Sequence, residues 1–394
     1  MLPFDEAKKK LLTAARLLTD TESIDLADAF GRVLAGDIVS SLTVPPFDNA
    51  AMDGYAVRAA EVTAGCRLPV RLRAAAGDPP GVLPAATAGR IFTGAAVPTG
   101  ADAVVMQEDC RAEGDEVVIQ VPPPRGQWIR PAGGDIQAGQ TLLAAGTRFS
   151  AAAMGLAASV GVAQVRVYRP LRVAIFFTGS ELRMPGEALA AGQIYNSNRY
   201  VMRGFLRDMG AQIIDLGIVP DSFEATRAAL RSAAQQADVI VTSGGMSEGD
   251  EDHVTNAVRA EGRIDVWKIA SKPGKPLAFG SVGASAFIGL PGNPVSVWVG
   301  MLAMVMPFLR RSQNMLDIEP PTQRLRADFS YTVKGNRMEF VRVRRNADGG
   351  LDCYRSQDSS MISSAVWCDG LAMIAAGSTV SPGDMIDYVP GPRT

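Results

Sequence analysis

The sequence is poor in the residues on which much enzyme chemistry depends. A single histidine, His253, serves all 394 residues, which excludes imidazole-based serine or cysteine triads and leaves carboxylates and lysines as the available reactive groups. The cysteines, Cys66, Cys110, Cys353 and Cys368, lie far apart without a C-x-x-C pair, so neither a zinc site nor a disulfide framework is expected. No block of like charge is longer than Lys8-Lys9-Lys10, and the formal net charge is -2. A nucleic-acid partner, which would call for a basic face or tail, is therefore not expected, and any anionic ligand must be caught locally. Long apolar runs are missing too. The longest uncharged one, residues 295–309, is too short to span a bilayer, and the opening M-L-P-F-D-E-A-K-K-K lacks the apolar core of a signal peptide. The expectation is a soluble, cytoplasmic, reduced protein with no membrane partner.

What the chain does contain is organised around residues 239–253, V-I-V-T-S-G-G-M-S-E-G-D-E-D-H. An apolar β-branched run, two adjacent glycines and then carboxylates describe a strand that feeds a helix through a bare loop. Gly244 and Gly245 allow a sharp turn, and unpaired N–H groups at the helix start suit an oxyanion. Asp250, Glu251 and Asp252 have two readings: compensation of the helix dipole, or ligands for a cation.

Around this stretch the text divides into regions. Ala7, Leu11, Ala14, Ala15 and Leu18 recur at helical spacing, giving an amphipathic N-terminal helix. The diproline Pro45-Pro46 opens P-P-F-D-N-A-A-M-D-G-Y-A, a loop denser in side-chain acceptors than a connector requires. From about residue 61 to 140, short apolar runs cut by glycine and proline predict a small inserted β domain. Residues 150–160 return to helical spacing and are expected to pack on the N-terminal helix. Residues 171–311 alternate strands with helices, the pattern of a doubly wound, mostly parallel sheet with ligands at the carboxyl ends of its strands. Strands are expected over 264–270 and 285–290, and an apolar helix over 295–309. From about residue 320 the pattern is β again. The predicted fold is thus multidomain α/β: a discontinuous N-terminal helical and extended domain (1–46 and 141–169), an inserted small β domain (47–140), a central α/β domain (170–318) and a C-terminal β-barrel (319–394).

Acids follow successive strands of the central pattern: Glu181, Asp221 and Asp252. Three carboxylates on one sheet edge are how a hard cation that bridges phosphates is held. Asp221 has a second reading, because Asp221-Ser222-Phe223-Glu224 also fits a capping box in which the aspartate closes its own helix. Lys268, Lys272 and Lys275 follow in W-K-I-A-S-K-P-G-K-P, either a solvated turn or an oxyanion pocket stiffened by Pro273 and Pro276.

Six motifs, taken together and in order, resemble one family: P-P-F-D-N-A-A-M-D-G-Y-A, R-I-F-T-G-A-A-V-P-T-G-A-D-A-V-V-M-Q-E, N-S-N-R-Y, T-S-G-G-M-S-E-G, K-P-G-K-P and G-L-P-G-N-P-V-S. They are similar to those of the molybdopterin molybdotransferases, the MoeA and gephyrin E-domain family, and the resemblance covers nearly all of the chain. It implies a homodimer that inserts molybdate into adenylylated molybdopterin with Mg²⁺-dependent release of AMP, and it makes the molybdopterin adenylyltransferase a candidate partner. By the same resemblance Glu181, Asp221 and Asp252 are metal and catalytic residues, and Asp53, Thr93 and Asp135 are further catalytic candidates. Lys268, Lys272, Lys275, Pro276, Arg342 and Ser363 are implied substrate ligands, as are Gly244, Gly245 and Ser247 of the glycine loop and Pro291, Asn293 and Pro294 of the P-G-N-P turn. The chain departs from the family pattern at Ser180, where an aspartate is usual, and at Met246 and Glu248, where valines are common. The alternatives are a molybdopterin adenylyltransferase or related pyrophosphatase, which would resemble only the middle of the chain, and a gephyrin-like scaffold.

Overall fold

The computed structural model describes residues 1–245, 253–274 and 276–391, and these form two compact units. The smaller comprises Asp37–Ala144 and Ala151–Gln164. Its centre is a six-stranded sheet in the order Ala103–Met106, Gly54–Val57, Ala88–Ile91, Arg67–Ala74, Glu116–Ile119, Cys110–Glu113. Val57, Ala88, Ala103, Val117 and Ile119 are fully buried in one cluster on it, so strands of only four residues are held by packing as well as by their ladders. The helix Ala151–Ser159 also lies in this unit, whereas the helix Phe4–Thr13 lies in the other. Phe4, Ala7 and Leu11 of the first helix enter the main core of the larger unit.

The larger unit is built on a doubly wound sheet. Its elements in chain order are β1 (Arg172–Thr178), α1 (Ser197–Met209), β2 (Gln212–Val219), α2 (Phe223–Gln236), β3 (Val239–Ser243), α3 (His253–Glu261), β4 (Gly262–Trp267), β5 (Ala278–Val282), β6 (Ser285–Leu290) and α4 (Pro294–Gly300). The strand order is β2-β1-β3-β6-β5-β4. β2, β1, β3 and β6 run parallel, while β5 and β4 continue antiparallel. The period of two decides which face each side chain serves. Val173, Ile175 and Phe177 of β1 join one cluster with Met202, Phe205 and Leu206 of α1. Ala174 and Phe176 join another with Leu230 and Ala233 of α2 and Val254, Ala257 and Val258 of α3. β3 and β6 divide in the same way, with Val241 and Ile288 on the first face and Ile240 and Phe287 on the second. Helices thus cover both faces, which explains why these strands read as unbroken apolar runs.

Two expected elements differ. The strand expected over 264–270 is two strands, broken at Lys268, whose φ is +71°. β4 stays at the edge of the central sheet, and Ile269–Lys272 crosses to a second sheet, between Leu2–Pro3 and Met338–Arg345. A positive φ at a lysine has no local signature; tertiary pairing imposes it against intrinsic preference. The helix expected over 295–309 is α4 followed by a π-helical turn, Met301–Val305, and a further α-helix, Met306–Ser312. The second sheet continues with Gly370–Ile374, Met385–Pro390 and Gln323–Arg326, with Leu351–Cys353 paired beside Met338–Arg345.

Candidate active site at the strand ends

A cavity of about 750 Å³ opens where β1, β2, β3 and β6 end. β1 contributes Thr178 and, just beyond it, Gly179 and Glu181; β2 is followed by Asp221, β3 by Gly244 and Gly245, and β6 by Pro291, Gly292, Asn293 and Ser296. Lys272, Pro273, Gly274 and Pro276 form a further wall, and Arg337 with Gln357, Asp358 and Ser359 completes it. Of the residues expected from sequence, the structure therefore brings together Glu181, Asp221, Gly244, Gly245, Lys272, Pro276, Pro291 and Asn293. Asp252, Ser247 and Lys275, with Met246 and Glu248, lie outside the described residues.

Backbone requirements fix the floor. Gly244 has φ +95°, and a Cβ there would stand 2.3 Å from the Thr178 carbonyl oxygen. Only glycine lets β3 turn away this close to β1. Asn198, on the first turn of α1, ties the floor to the P-G-N-P loop: its Nδ2 donates to Ser243 Oγ at 2.8 Å and to the Gly292 carbonyl at 2.7 Å. This accounts for N-S-N-R-Y, a motif that carries no reactive group of its own. Asn293 Nδ2 donates to Ser359 Oγ at 2.8 Å, and the Val295 N–H to the Ser359 carbonyl at 3.0 Å, so the same loop also anchors the far wall.

The acids stand free of structural duty. Ser222, and not Asp221, caps α2, its hydroxyl accepting the Ala225 N–H at 3.3 Å; the capping reading of Asp221 is corrected. Glu181 and Asp221 are exposed, and neither carboxylate is bonded among the described residues. A Cβ on Gly179 would meet the Glu181 carboxylate oxygens at 2.6 and 2.7 Å, so the glycine makes room for that side chain to fold back over the end of β1. The Thr178 hydroxyl is buried there without a partner among the described residues. Two uncommitted carboxylates in the lining of one cavity are hard oxygen donors of the kind Mg²⁺ takes; the described residues gather no third acid beside them. At the departure site, the Ser180 carbonyl accepts from Arg183 at 3.1 Å.

The lysine wall is partly neutralised. Lys272 Nζ lies 3.1 and 3.3 Å from the two oxygens of Glu339. Lys268, Pro294, Arg342 and Ser363 do not line the cavity. Arg342 is fully buried behind the wall: Nε donates to Ser364 Oγ at 3.2 Å and Nη2 to the carbonyls of Ser356 and Asp358 at 3.3 and 3.0 Å. Burial holds its pKa below the usual guanidinium value. Ser363 Oγ is 3.3 Å from the Tyr354 hydroxyl, and Pro294 occupies the first turn of α4. Asp53 and Thr93 belong to the smaller unit, where Asp53 Oδ1 accepts from the Thr93 N–H at 2.7 Å and its hydroxyl at 2.8 Å. Those two bonds lower the Asp53 pKa. Asp135, exposed, lies in that unit as well. Sequence reading missed Gln357, Asp358 and Ser359, which lie four to six residues before Ser363.

Comparison with known proteins bears on the whole chain. Residues 2–161 match the MoeA N-terminal region (domain I and II), 174–311 the probable molybdopterin binding domain, and 324–390 the MoeA C-terminal region (domain IV). A molybdopterin molybdenumtransferase from Haemophilus influenzae is 40% identical over 324 residues, covering 82% of this chain and 80% of that protein. The chain belongs to the MoeA family of molybdopterin molybdenumtransferases. Another member, from Nostoc sp., is 36% identical over 91% of this chain and 86% of its own length. The MoeA crystal structure from Pyrococcus horikoshii superimposes with a TM-score of 0.85 at 27% identity, covering 99% of this chain and 100% of that one. The MoeA assignment makes the chain an enzyme of molybdenum cofactor biosynthesis, and the matches on either side of residues 174–311 do not favour a lone adenylyltransferase domain.

Proposed function

We propose that this MoeA-family chain inserts molybdate into the dithiolene of adenylylated molybdopterin, with release of AMP, in the cavity at the strand ends. The observation that carries the reading is the meeting, in one cavity, of the uncommitted carboxylates Glu181 and Asp221, the bare backbone at Gly244 and Gly245, and Lys272. The glycine turn admits a phosphate close to main-chain N–H groups. Lys272, with Asn293 and Ser359 nearby, offers donors to an oxyanion. Glu181 and Asp221, with Asp252, would hold Mg²⁺, which when bound neutralises charge on the phosphate oxygens as AMP leaves. Asp53, Thr93 and Asp135 remain proposed contributors, and so do Lys268, Lys275, Arg342 and Ser363.

The test is AMP release from adenylylated molybdopterin by the purified protein with and without molybdate. Dependence on molybdate is expected; equal release in its absence would identify a pyrophosphatase instead. We also propose a four-domain division at residues 46, 140, 169 and 318, a cytoplasmic homodimer, and supply of the substrate by the molybdopterin adenylyltransferase. A monomeric mass by light scattering at micromolar concentration would overturn the dimer.

A further inference from the structure

The carboxylate facing Lys272 is placed by the fold. Lys272 and Glu339 are directly paired residues in the parallel ladder between Ile269–Lys272 and Met338–Arg345, so strand register sets them side by side. The Glu339 side chain is 9% exposed and that of Lys272 46%, which makes the acid the fixed member and the ammonium the one that reaches the cavity. Tyr331 fixes the acid further, its hydroxyl donating to Glu339 Oε2 at 2.5 Å. Among the described residues Lys272 is the one cation bonded to Glu339. A buried carboxylate needs such a partner, because an uncompensated charge in the interior is strongly destabilising.

We infer that Glu339 is the built-in counter-anion of Lys272 and sets how firmly the lysine wall holds an oxyanion. The inference rests on the proposed reading of Lys272 as an anion ligand. An ammonium has three donors; Glu339 engages one side and leaves the rest toward the cavity. An entering oxyanion must share that ammonium with the carboxylate, so a singly charged ion gains little, while a doubly charged tetrahedral one such as molybdate competes. Glu339 is thus a positioning residue that favours dianions and keeps their binding reversible.

The experiment measures the Kd of molybdate and of inorganic phosphate by calorimetry on the full chain. The variants are Glu339→Gln, Lys272→Ala and the double variant, with thermal melting alongside. Glutamine keeps the shape and one acceptor oxygen, which Tyr331 and Lys272 would share, while removing the charge. Glu339→Gln is expected to tighten both ions by roughly fivefold to tenfold and to leave Lys272→Ala unchanged when added to it, as coupled neighbours do. Unchanged or weaker binding overturns the inference, and so does a gain that persists without Lys272. If Lys272→Ala alone fails to weaken molybdate binding, the reading of Lys272 falls first and is seen to fall separately. Should Glu339→Gln not fold, Glu339→Asp, which withdraws the carboxylate by one methylene, must shift binding in the same direction.

Discussion

Ser222 closes the helix that Asp221 precedes: its hydroxyl accepts the Ala225 N–H at 3.3 Å, while Asp221 stands one residue outside on the cavity wall. Capping and chemistry are therefore separable by mutation. Asp221→Asn is expected to melt like the wild type and to slow AMP release by about a hundredfold to a thousandfold, the usual cost of one lost electrostatic contact in a closed site. Ser222→Ala should do the reverse, losing roughly 0.5 to 2 kcal/mol of stability with the rate per folded molecule retained. Urea unfolding and AMP release on both variants decide it; an undiminished rate in Asp221→Asn would remove Asp221 from the site.

Asn198 supplies the second prediction. Its one amide nitrogen bridges Ser243 and Gly292, at the ends of β3 and β6. Asn198→Ala is expected to cost about 1 to 3 kcal/mol, the range for stranding a buried polar group. Asn198→Asp should cost more, since it sets a carboxylate oxygen against the Gly292 carbonyl. Chemical denaturation ranks the two variants, and the opposite order would mean that the bridge is not what secures the loop.

These examples show what the sequence made legible. β1, β3 and β6 announce themselves because a strand buried on both faces carries few polar positions, here gathered at the strand ends, and Gly244-Gly245 because only bare backbone can turn against Thr178. Glu181 and Asp221 follow from the rule that ligands gather at carboxyl ends of parallel strands. The wall formed by Arg337 and Gln357–Ser359 was not legible, since it reaches the cavity through a second sheet whose pairing with Ile269–Lys272 depends on a turn at Lys268 that no glycine marks. The Lys272–Glu339 pair was hidden for the same reason: 67 residues separate partners that only the ladder brings together.

Acid stability should reside at the other end of the sheet. Asp238, just before β3, accepts from Arg169 Nη1 and Nη2 at 2.7 and 2.9 Å and from the Arg172 N–H at 2.8 Å. Burial pushes its pKa up, but the Arg169 and Arg172 bonds outweigh burial and bring it down to about 2. A carboxylate whose folded pKa lies below its unfolded value of about 3.9 contributes stability that is present above that value and is lost as pH falls toward 2. The wild type is expected to lose melting temperature more steeply between pH 5 and pH 2, on the order of this window, than Asp238→Asn. Parallel curves for the two proteins would show that the clamp does not govern the acid limb.

Arg342 gives the most discriminating case, because family resemblance and geometry point to different effects. A residue that touched molybdate would, when cut to alanine, raise the molybdate requirement and leave pterin binding alone. The structure instead buries Arg342 completely and commits Nε to Ser364 and Nη2 to Ser356 and Asp358, leaving Nη1 buried without a partner among the described residues, while its main-chain N–H donates to Gln357 Oε1 at 2.9 Å. Those bonds hold the segment that carries Asp358 and Ser359 into the cavity. Hydrogen bonds to a charged group are worth about 1.5 to 3 kcal/mol each, so Arg342→Ala should destabilise the protein by at least roughly one such bond and weaken pterin and molybdate binding together as that wall shifts. Arg342→Lys should rescue little, since one ammonium nitrogen cannot serve Ser364 from the Nε position and the two carbonyls from the Nη2 position at once. Melting temperature, pterin affinity and the molybdate dependence of AMP release, measured on the same preparations, distinguish the two: a change confined to molybdate would restore Arg342 as a direct ligand.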